Sequence, residues 1–522
     1  MTNSYDDVPY PSHPYQVTHP DHIYTMATLF KMDPVLPEES RVLEIGCASG
    51  GNIIPLALQM PSAEFVGIDL SQEQIKEGQD RVRELGLTNI KLETLDLNLL
   101  GDEHGKFDYI TCHGVFSWVP PEIQKRIFEV CSERLTPRGL AYVSYNAYPG
   151  WFMRGMIRQM MLRHVSNIED SKVKVQQARA LLQFLVESTE GQTTPYASFL
   201  REELGMLSKH SDAYLFHDHL ENENHPMFFA DFVELADSTG LQFVGETNLS
   251  SMVTDNLPKK AAETLAKLTK NLHHRSQYTD FVTNRMFRQS LLCKKGAKVD
   301  RHLSINSLEG LFLSGSFAES DGNPEGSETP QVTTKGIAFK CANGRILRTP
   351  NIVLQTMFRI MSASFPKSRT AADIVSQVQE QLSEVSESSY EPANVESICL
   401  NYLLQMIVRG DIEFRALPDR FVTELSEMPC VSDLNRLQAQ ASEPLTTQKH
   451  SMLNADGFSK MLIPLLDGKH SREELASHIG ELVDSGVLTI NSNGATVDRK
   501  KVHDASVNKV LDIASRSALL IH

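Results

Sequence analysis

The chain has 522 residues, too many for one ordinary domain, and the usual size range divides it into about three or four. Hydrophobic residues make up 41% and charged residues 22%, a balance that excludes disordered or fibrous classes and allows several real cores. A formal net charge of -16, from 50 basic and 66 acidic residues, gives no overall attraction to phosphate backbones, so we expect no nucleic-acid partner and favour small molecules or protein side chains.

The seven cysteines, Cys47, Cys112, Cys131, Cys293, Cys341, Cys399 and Cys430, are dispersed, odd in number and never spaced as CxxC. That spacing argues for a reducing compartment and against a disulfide framework or structural zinc. The start, MTNSYDDVPYPSHPYQ, has neither a basic nor an apolar targeting run, and no apolar stretch is long enough to span a membrane. The expectation is a cytoplasmic protein. Oligomeric state is left open.

Residues 1–20 hold prolines at 9, 11, 14 and 20, which forbid a long regular element. DHIYTMATLFKM follows with Ile23, Met26, Ala27 and Phe30 on one helical face. Residues 1–40 therefore read as an arm and helix that either cover a ligand pocket or dock on the surface. From residue 41, strand and helix alternate: RVLEIG, GNIIPLALQM, AEFVGIDL, then SQEQIKEGQDRVRELG with Ser71 as cap and Gln74 at the capping-box position. NIKLETLDL, FDYITCHG and GLAYVSYN add strands, and PPEIQKRIFEVCSERL adds a helix. The fold class is α/β, with a doubly wound Rossmann-like domain over 41–150 and its ligand beyond the carboxyl ends of the strands.

Residues 151–315 read as a mostly helical domain. Met153, Met156, Met160 and Met161 fall at helical spacing there and are expected as a packing face rather than a recognition surface. HPMFFADFVELADSTGLQFVGE predicts a helix, a stop at Gly240 and a short strand, and the run from Lys259 to Cys293 predicts one or two helices. Residues 316–330, rich in acids, glycine and proline, predict a linker. Residues 331–522 predict an α+β winged-helix-like region of one or two units, with a strand pair turned at Asn343-Gly344. No concentrated basic run occurs there, so protein packing is favoured over DNA binding.

Chemistry concentrates in Leu43-Glu44-Ile45-Gly46-Cys47-Ala48-Ser49-Gly50, directly after a predicted strand. Gly46 and Gly50 allow a tight turn and close approach of the backbone to a ligand. Asp69 ends the next strand, where a carboxylate can accept both ribose hydroxyls, and Asp96 ends the one after. A dinucleotide fold would hold a pyrophosphate at this loop. Glu44 opposes a pyrophosphate and suits the cationic part of S-adenosylmethionine, directly or through water.

These motifs resemble the class I S-adenosylmethionine-dependent methyltransferases. More narrowly, YDDVPYPSHPYQVTHPDHI, VLEIGCASGGNIIPLA, FVGIDLS, HGVFSWVPPEIQ, YVSYNAYPGWFMRGMIRQMMLRHV, YLFHDHLE, FADFVELADSTGLQFVGE and NRMFRQSLLC are similar to the bacterial group carrying a methyltransferase regulatory domain, which includes rickettsial outer-membrane-protein lysine methyltransferases. The likeness covers roughly residues 5–296. It implies that Gly46 and Gly50 form the cofactor loop, that Glu44 lies near the methionine moiety, and that Asp69 takes the ribose. Asp96 and Leu97 would lie by the adenine, stacked between Leu70 and Leu97. Tyr10, Tyr15 and His19 of the arm would close over the cofactor. Ala48 stands where many of these enzymes have glycine. The implied activity is methyl transfer, with S-adenosylhomocysteine as product and protein lysine side chains as the favoured acceptor; the alternatives are a small-molecule acceptor, or a regulatory protein that binds S-adenosylmethionine without turnover.

His113 ends the fourth strand, where class I methyltransferases face the methyl group. It reads as a base, as a cofactor-side hydrogen bonder, or as a packed strand end. Tyr145 joins it as a catalytic candidate. Phe116 and Trp118 can line an aromatic acceptor slot, and Asn146, Tyr148 and Trp151 form a second cluster for acceptor contact or for a packed hinge. His217, His219 and His225, with Asp218, Glu221 and Glu223, lack tight metal spacing and are expected to be structural, so no metal is expected.

Overall fold

His19 supplies the cap of the first helix: its Nδ1 accepts the Asp21 N–H at 3.0 Å, and α1 runs over Pro20–Leu29 with proline in its first turn, where no amide hydrogen is needed. The structure, a computed structural model, describes residues 12–254, 256–268, 271–320, 336–385, 391–489 and 498–521. The chain forms two compact units, one of residues 1–13 and 33–299, the other of residues 14–32 and 300–522.

In the first unit, apolar and β-branched runs make β1 (Arg41–Ile45), β2 (Glu64–Asp69), β3 (Ile90–Thr94), β4 (Phe107–Cys112) and β5 (Leu135–Asn146), all parallel. Between them lie α2 (Ile53–Gln59), α3 (Gln72–Glu84) and α4 (Pro121–Arg134). Ser71 caps α3 as expected, its Oγ accepting the Gln74 N–H at 3.2 Å. After β5 come α5 (Gly150–His164), α6 (Ser171–Ser188), α7 (Pro195–Leu207) and the short α8 (Asp212–Leu215), which opens into a π-type turn at Phe216–Leu220. These helices bury their own core of Ile157, Met161, Leu182, Leu200 and Leu215. The methionine face divides: Met161 is buried and Met160 packs on this core, whereas Met153 and Met156 are exposed.

The chain then returns to the sheet through α9 (Phe229–Ser238), β6 (Leu241–Glu246), α10 (Lys259–Leu268), α11 (Leu272–Thr283) and β7 (Phe287–Lys294). The seven strands run β3-β2-β1-β4-β5-β7-β6, with β7 antiparallel to both neighbours. Strand β7 lies in the run read as helical; the sequence FRQSLLC becomes a strand because β5 and β6 pair with it along both edges. Phe107, Ile110, Phe116, Phe128, Tyr145, Phe229 and Phe232 fill the core on one face of this sheet.

The second unit holds α1, whose Asp21 Oδ2 accepts from Arg415 at 3.0 Å and whose Thr25 Oγ1 accepts the Ala416 N–H at 2.8 Å. The strand pair turned at Asn343-Gly344 is present as Ile337–Cys341 against Ile346–Thr349. Of the expected linker, Phe317–Ser320 is a strand beside that pair, and residues 321–330 lie outside the described residues. Toward the C-terminus, Asp433–Gln440, Arg472–Asp484 and Arg499–Arg516 are helices around a core of Leu445, Leu462, Leu475 and Leu511. All seven cysteines are buried, and among the described residues none is in a disulfide. Among the described residues no helix is long and apolar enough to cross a membrane.

Candidate cofactor and transfer site

The carboxyl ends of β1, β2, β3 and β4 carry Glu44, Asp69, Asp96 and His113, at the edge where an open α/β sheet holds its ligand. The loop after β1 is fixed by its own backbone: the N–H groups of Gly46 and Cys47 donate to Ile68 O at 2.9 and 3.1 Å. Gly46 has φ +74, and a Cβ there would sit 2.3 Å from Val115 Cγ2, so glycine is required twice over. Ala48 also takes a left-handed φ of 50, and its N–H donates to Asp69 Oδ2 at 2.8 Å, which holds that strained residue in place. The other oxygen of Asp69 accepts the Ser71 N–H at 2.9 Å, so the carboxylate is oriented before any ligand arrives.

Glu44 is buried. Its Oε1 accepts from Asn52 Nδ2 at 2.7 Å, and its Oε2 has no hydrogen-bond partner. Burial pushes this carboxyl up to about 8, with the Asn52 hydrogen bond opposing the rise and the charge of Asp69 adding to it. An orphaned buried carboxylate oxygen beside a glycine loop fits the cationic end of S-adenosylmethionine. Asp96 Oδ1 accepts the Asn98 N–H at 2.8 Å and Leu70 is 63% exposed, which leaves an acid and one aliphatic face for a base and sugar, whereas Leu97 packs into the core.

Sequence reading did not single out Ser12 or Gly51. The Gly51 N–H donates to Ser12 Oγ at 2.8 Å, and a Cβ at Gly51 would lie 2.3 Å from Ser12 O. The second glycine of SGG was the available signal. Tyr15 and His19 belong to the second unit, where the His19 ring meets His450 edge-on at 5.4 Å between centroids. Tyr10 lies outside the described residues.

His113 is half-buried. Its Nδ1 lies 2.7 Å from the Tyr142 hydroxyl, and burial lowers its pKa to about 4. Phe287, 42% exposed, presents its ring 6.3 Å from the His113 ring. Strand alternation sends Tyr142 and Tyr145 to opposite faces of β5. Tyr145 is buried in the core, stacked on Phe232 at 4.0 Å, and Phe116 is likewise wholly buried, 4.9 Å from Phe128. The tyrosine brought to His113 is therefore Tyr142, which the sequence reading passed over.

Trp118 and Trp151 meet edge-on at 5.9 Å, and Asn146 Nδ2 reaches Asn224 Oδ1 at 3.3 Å. Tyr148 stacks on Phe152 at 4.0 Å; Phe228 and Phe281, 6.0 Å apart, extend this run, in which Phe152 is 56% and Phe281 47% exposed. His217 and His219 are buried on the π-type turn, and His225 pairs with Glu223 at 2.5 Å.

Three family models match: a methyltransferase domain over residues 43–141, a predicted methyltransferase regulatory domain over 211–294, and the PKMT C-terminal winged helix domain over 427–519. An uncharacterized protein of Rickettsia prowazekii is 35% identical over 503 residues, 96% of this chain and 89% of that one. The solved structure of PKMT2 from Rickettsia typhi matches with a TM-score of 0.88 at 29% identity, covering 98% of this chain and 100% of that chain. The same protein in complex with AdoHcy matches with a TM-score of 0.87 at 30% identity, again over 98% and 100% of the two chains. The chain belongs to the family of S-adenosylmethionine-dependent methyltransferases that join a Rossmann-like methyltransferase domain to a regulatory domain and a PKMT winged helix.

Proposed function

We propose that this enzyme methylates lysine side chains of protein substrates. The observation that carries the reading is the likeness to PKMT2 along nearly the whole chain, including the C-terminal winged helix domain, rather than over the cofactor domain alone. The aromatic run of half-buried Tyr148 and Phe228 with exposed Phe152 and Phe281 supports an acceptor larger than a metabolite, since contiguous exposed apolar surface commonly marks a binding site.

When bound, S-adenosylmethionine supplies an electrophilic methyl carbon and leaves as S-adenosylhomocysteine. The chain's own residues bind and orient. Glu44 faces the cationic amino-acid end, Asp69 the ribose hydroxyls, and Asp96 with Leu70 the adenine. His113 stands at the methyl end, and Trp118, Asn146, Tyr148 and Trp151 flank the acceptor's approach. An in-line displacement needs alignment and a dry site more than covalent help from the protein. The acceptor amine must arrive without its proton. The test is methyl transfer from tritiated S-adenosylmethionine into a lysate: label in nuclease-resistant protein, released as methyl-lysine, supports the reading, and label confined to small molecules replaces it with metabolite methylation.

A further inference from the structure

We propose that Tyr142 and Gln289 are positioning residues that hold His113 as the neutral tautomer with its proton on Nε2, so that His113 serves the transfer site as a hydrogen-bond donor rather than as its base. The inference rests on the methyltransferase site and not on the identity of the acceptor.

The argument follows the protons. Tyr142 is wholly buried, and burial holds its phenol well above its ordinary range, so the hydroxyl keeps its single proton. Gln289 Nε2 donates to that oxygen at 3.1 Å. Ser144 Oγ, two residues along the same strand, accepts the Gly114 N–H at 2.9 Å. An amide nitrogen can only donate, so the single proton of the Tyr142 hydroxyl is directed to its other hydrogen-bond neighbour, His113 Nδ1 at 2.7 Å. A ring nitrogen that accepts carries no hydrogen, so the proton of the neutral imidazole resides on Nε2.

The placement of Gln289 is built into the sheet. Gln289 pairs in register with Ser144 across β5 and β7, and Tyr142 lies two residues from Ser144 on the same face. The Gln289 N–H donates to Glu246 Oε2 at 3.0 Å, and Glu246 is itself held by Arg288 and by Ser290 Oγ at 2.9 Å. A buried ion cluster thus fixes the strand whose side chain sets the tautomer.

The test is nitrogen NMR of the full-length protein labelled with 15N histidine, the His113 signals being identified by their loss in His113→Asn. The proposal expects Nε2 to carry the proton and Nδ1 to resonate as an unprotonated ring nitrogen in the wild type. Gln289→Glu inverts the relay: the new carboxylate accepts the Tyr142 proton, the phenol oxygen accepts from His113, and the proton moves to Nδ1. A wild-type protein protonated at Nδ1, or a folded Gln289→Glu variant that keeps the proton on Nε2, overturns the proposal. The wild-type spectrum alone decides the first point if the variant does not fold.

Discussion

Glu44 accepts a single side-chain hydrogen bond, from Asn52 Nδ2 at 2.7 Å, and its second oxygen is buried without a partner. This pair makes the affinity for a cationic cofactor depend on a carboxylate that the empty protein prefers to keep protonated. Replacing it, Glu44→Gln, is expected to weaken S-adenosylmethionine binding by about tenfold or more, the loss typical of a charged hydrogen bond, as measured by calorimetry.

The same carboxyl also marks the stability of the cofactor-free protein. Its folded-state pKa of about 8 lies above the unfolded value of 4.5, so the contribution is full below pH 4.5 and is lost as pH rises through about 8. Thermal unfolding between pH 5 and 9 should therefore show a decline in the wild type that is shallower in Glu44→Gln. Equal slopes would show that Glu44 is ionised in the empty site.

Tyr142 and Tyr145 differ in what their hydroxyls reach. Tyr142→Phe removes the partner of His113 Nδ1 and is expected to lower methyl transfer about tenfold, the rate equivalent of one lost hydrogen bond of about 1.4 kcal/mol. Tyr145→Phe keeps the stacking on Phe232 and should alter the rate less than about twofold. Turnover measured side by side with matched protein concentrations checks the pair.

Arg288 binds Asp280 through two hydrogen bonds at 2.8 Å and also pairs with Glu246, while its guanidinium lies 3.8 Å from the Phe229 ring centroid. All three charges are buried. Arg288→Leu leaves Glu246 buried without a counter-ion and Asp280 paired with Arg285 alone, and denaturant unfolding should show a loss of roughly 3–5 kcal/mol.

Gly51→Ala places a methyl where Ser12 O already stands, at 2.3 Å, and so should displace the segment around Ser12. Limited proteolysis is expected to cut this segment faster in Gly51→Ala than in Ser12→Ala, which loses only the hydrogen bond worth about 1 kcal/mol.

Much of the candidate cofactor site is legible in sequence because its signals are local. VLEIGCASG sets a strand, a turn and an acid within nine residues of one another, and Asp69 and Asp96 end strands whose apolar runs are plain. Tyr142 was missed although period-two alternation carries the needed information: with Tyr145 on the core face, Tyr142 must face the other way. Gln289 could not be found in this way, since it reaches Tyr142 across 147 residues through a strand that looks helical in sequence. The helix Pro20–Leu29 presented a similar problem. Its periodicity is visible, but its membership of the second unit depends on Asp21 meeting Arg415, 394 residues away.

The most direct measurement is the yield of methyl-lysine in protein after incubation of the full chain with labelled S-adenosylmethionine and a bacterial lysate, beside the Asp69→Ala variant. The account predicts methyl-lysine with the wild type and at least tenfold less with Asp69→Ala. Label that appears only in small molecules, or protein label that is not methyl-lysine, would contradict it.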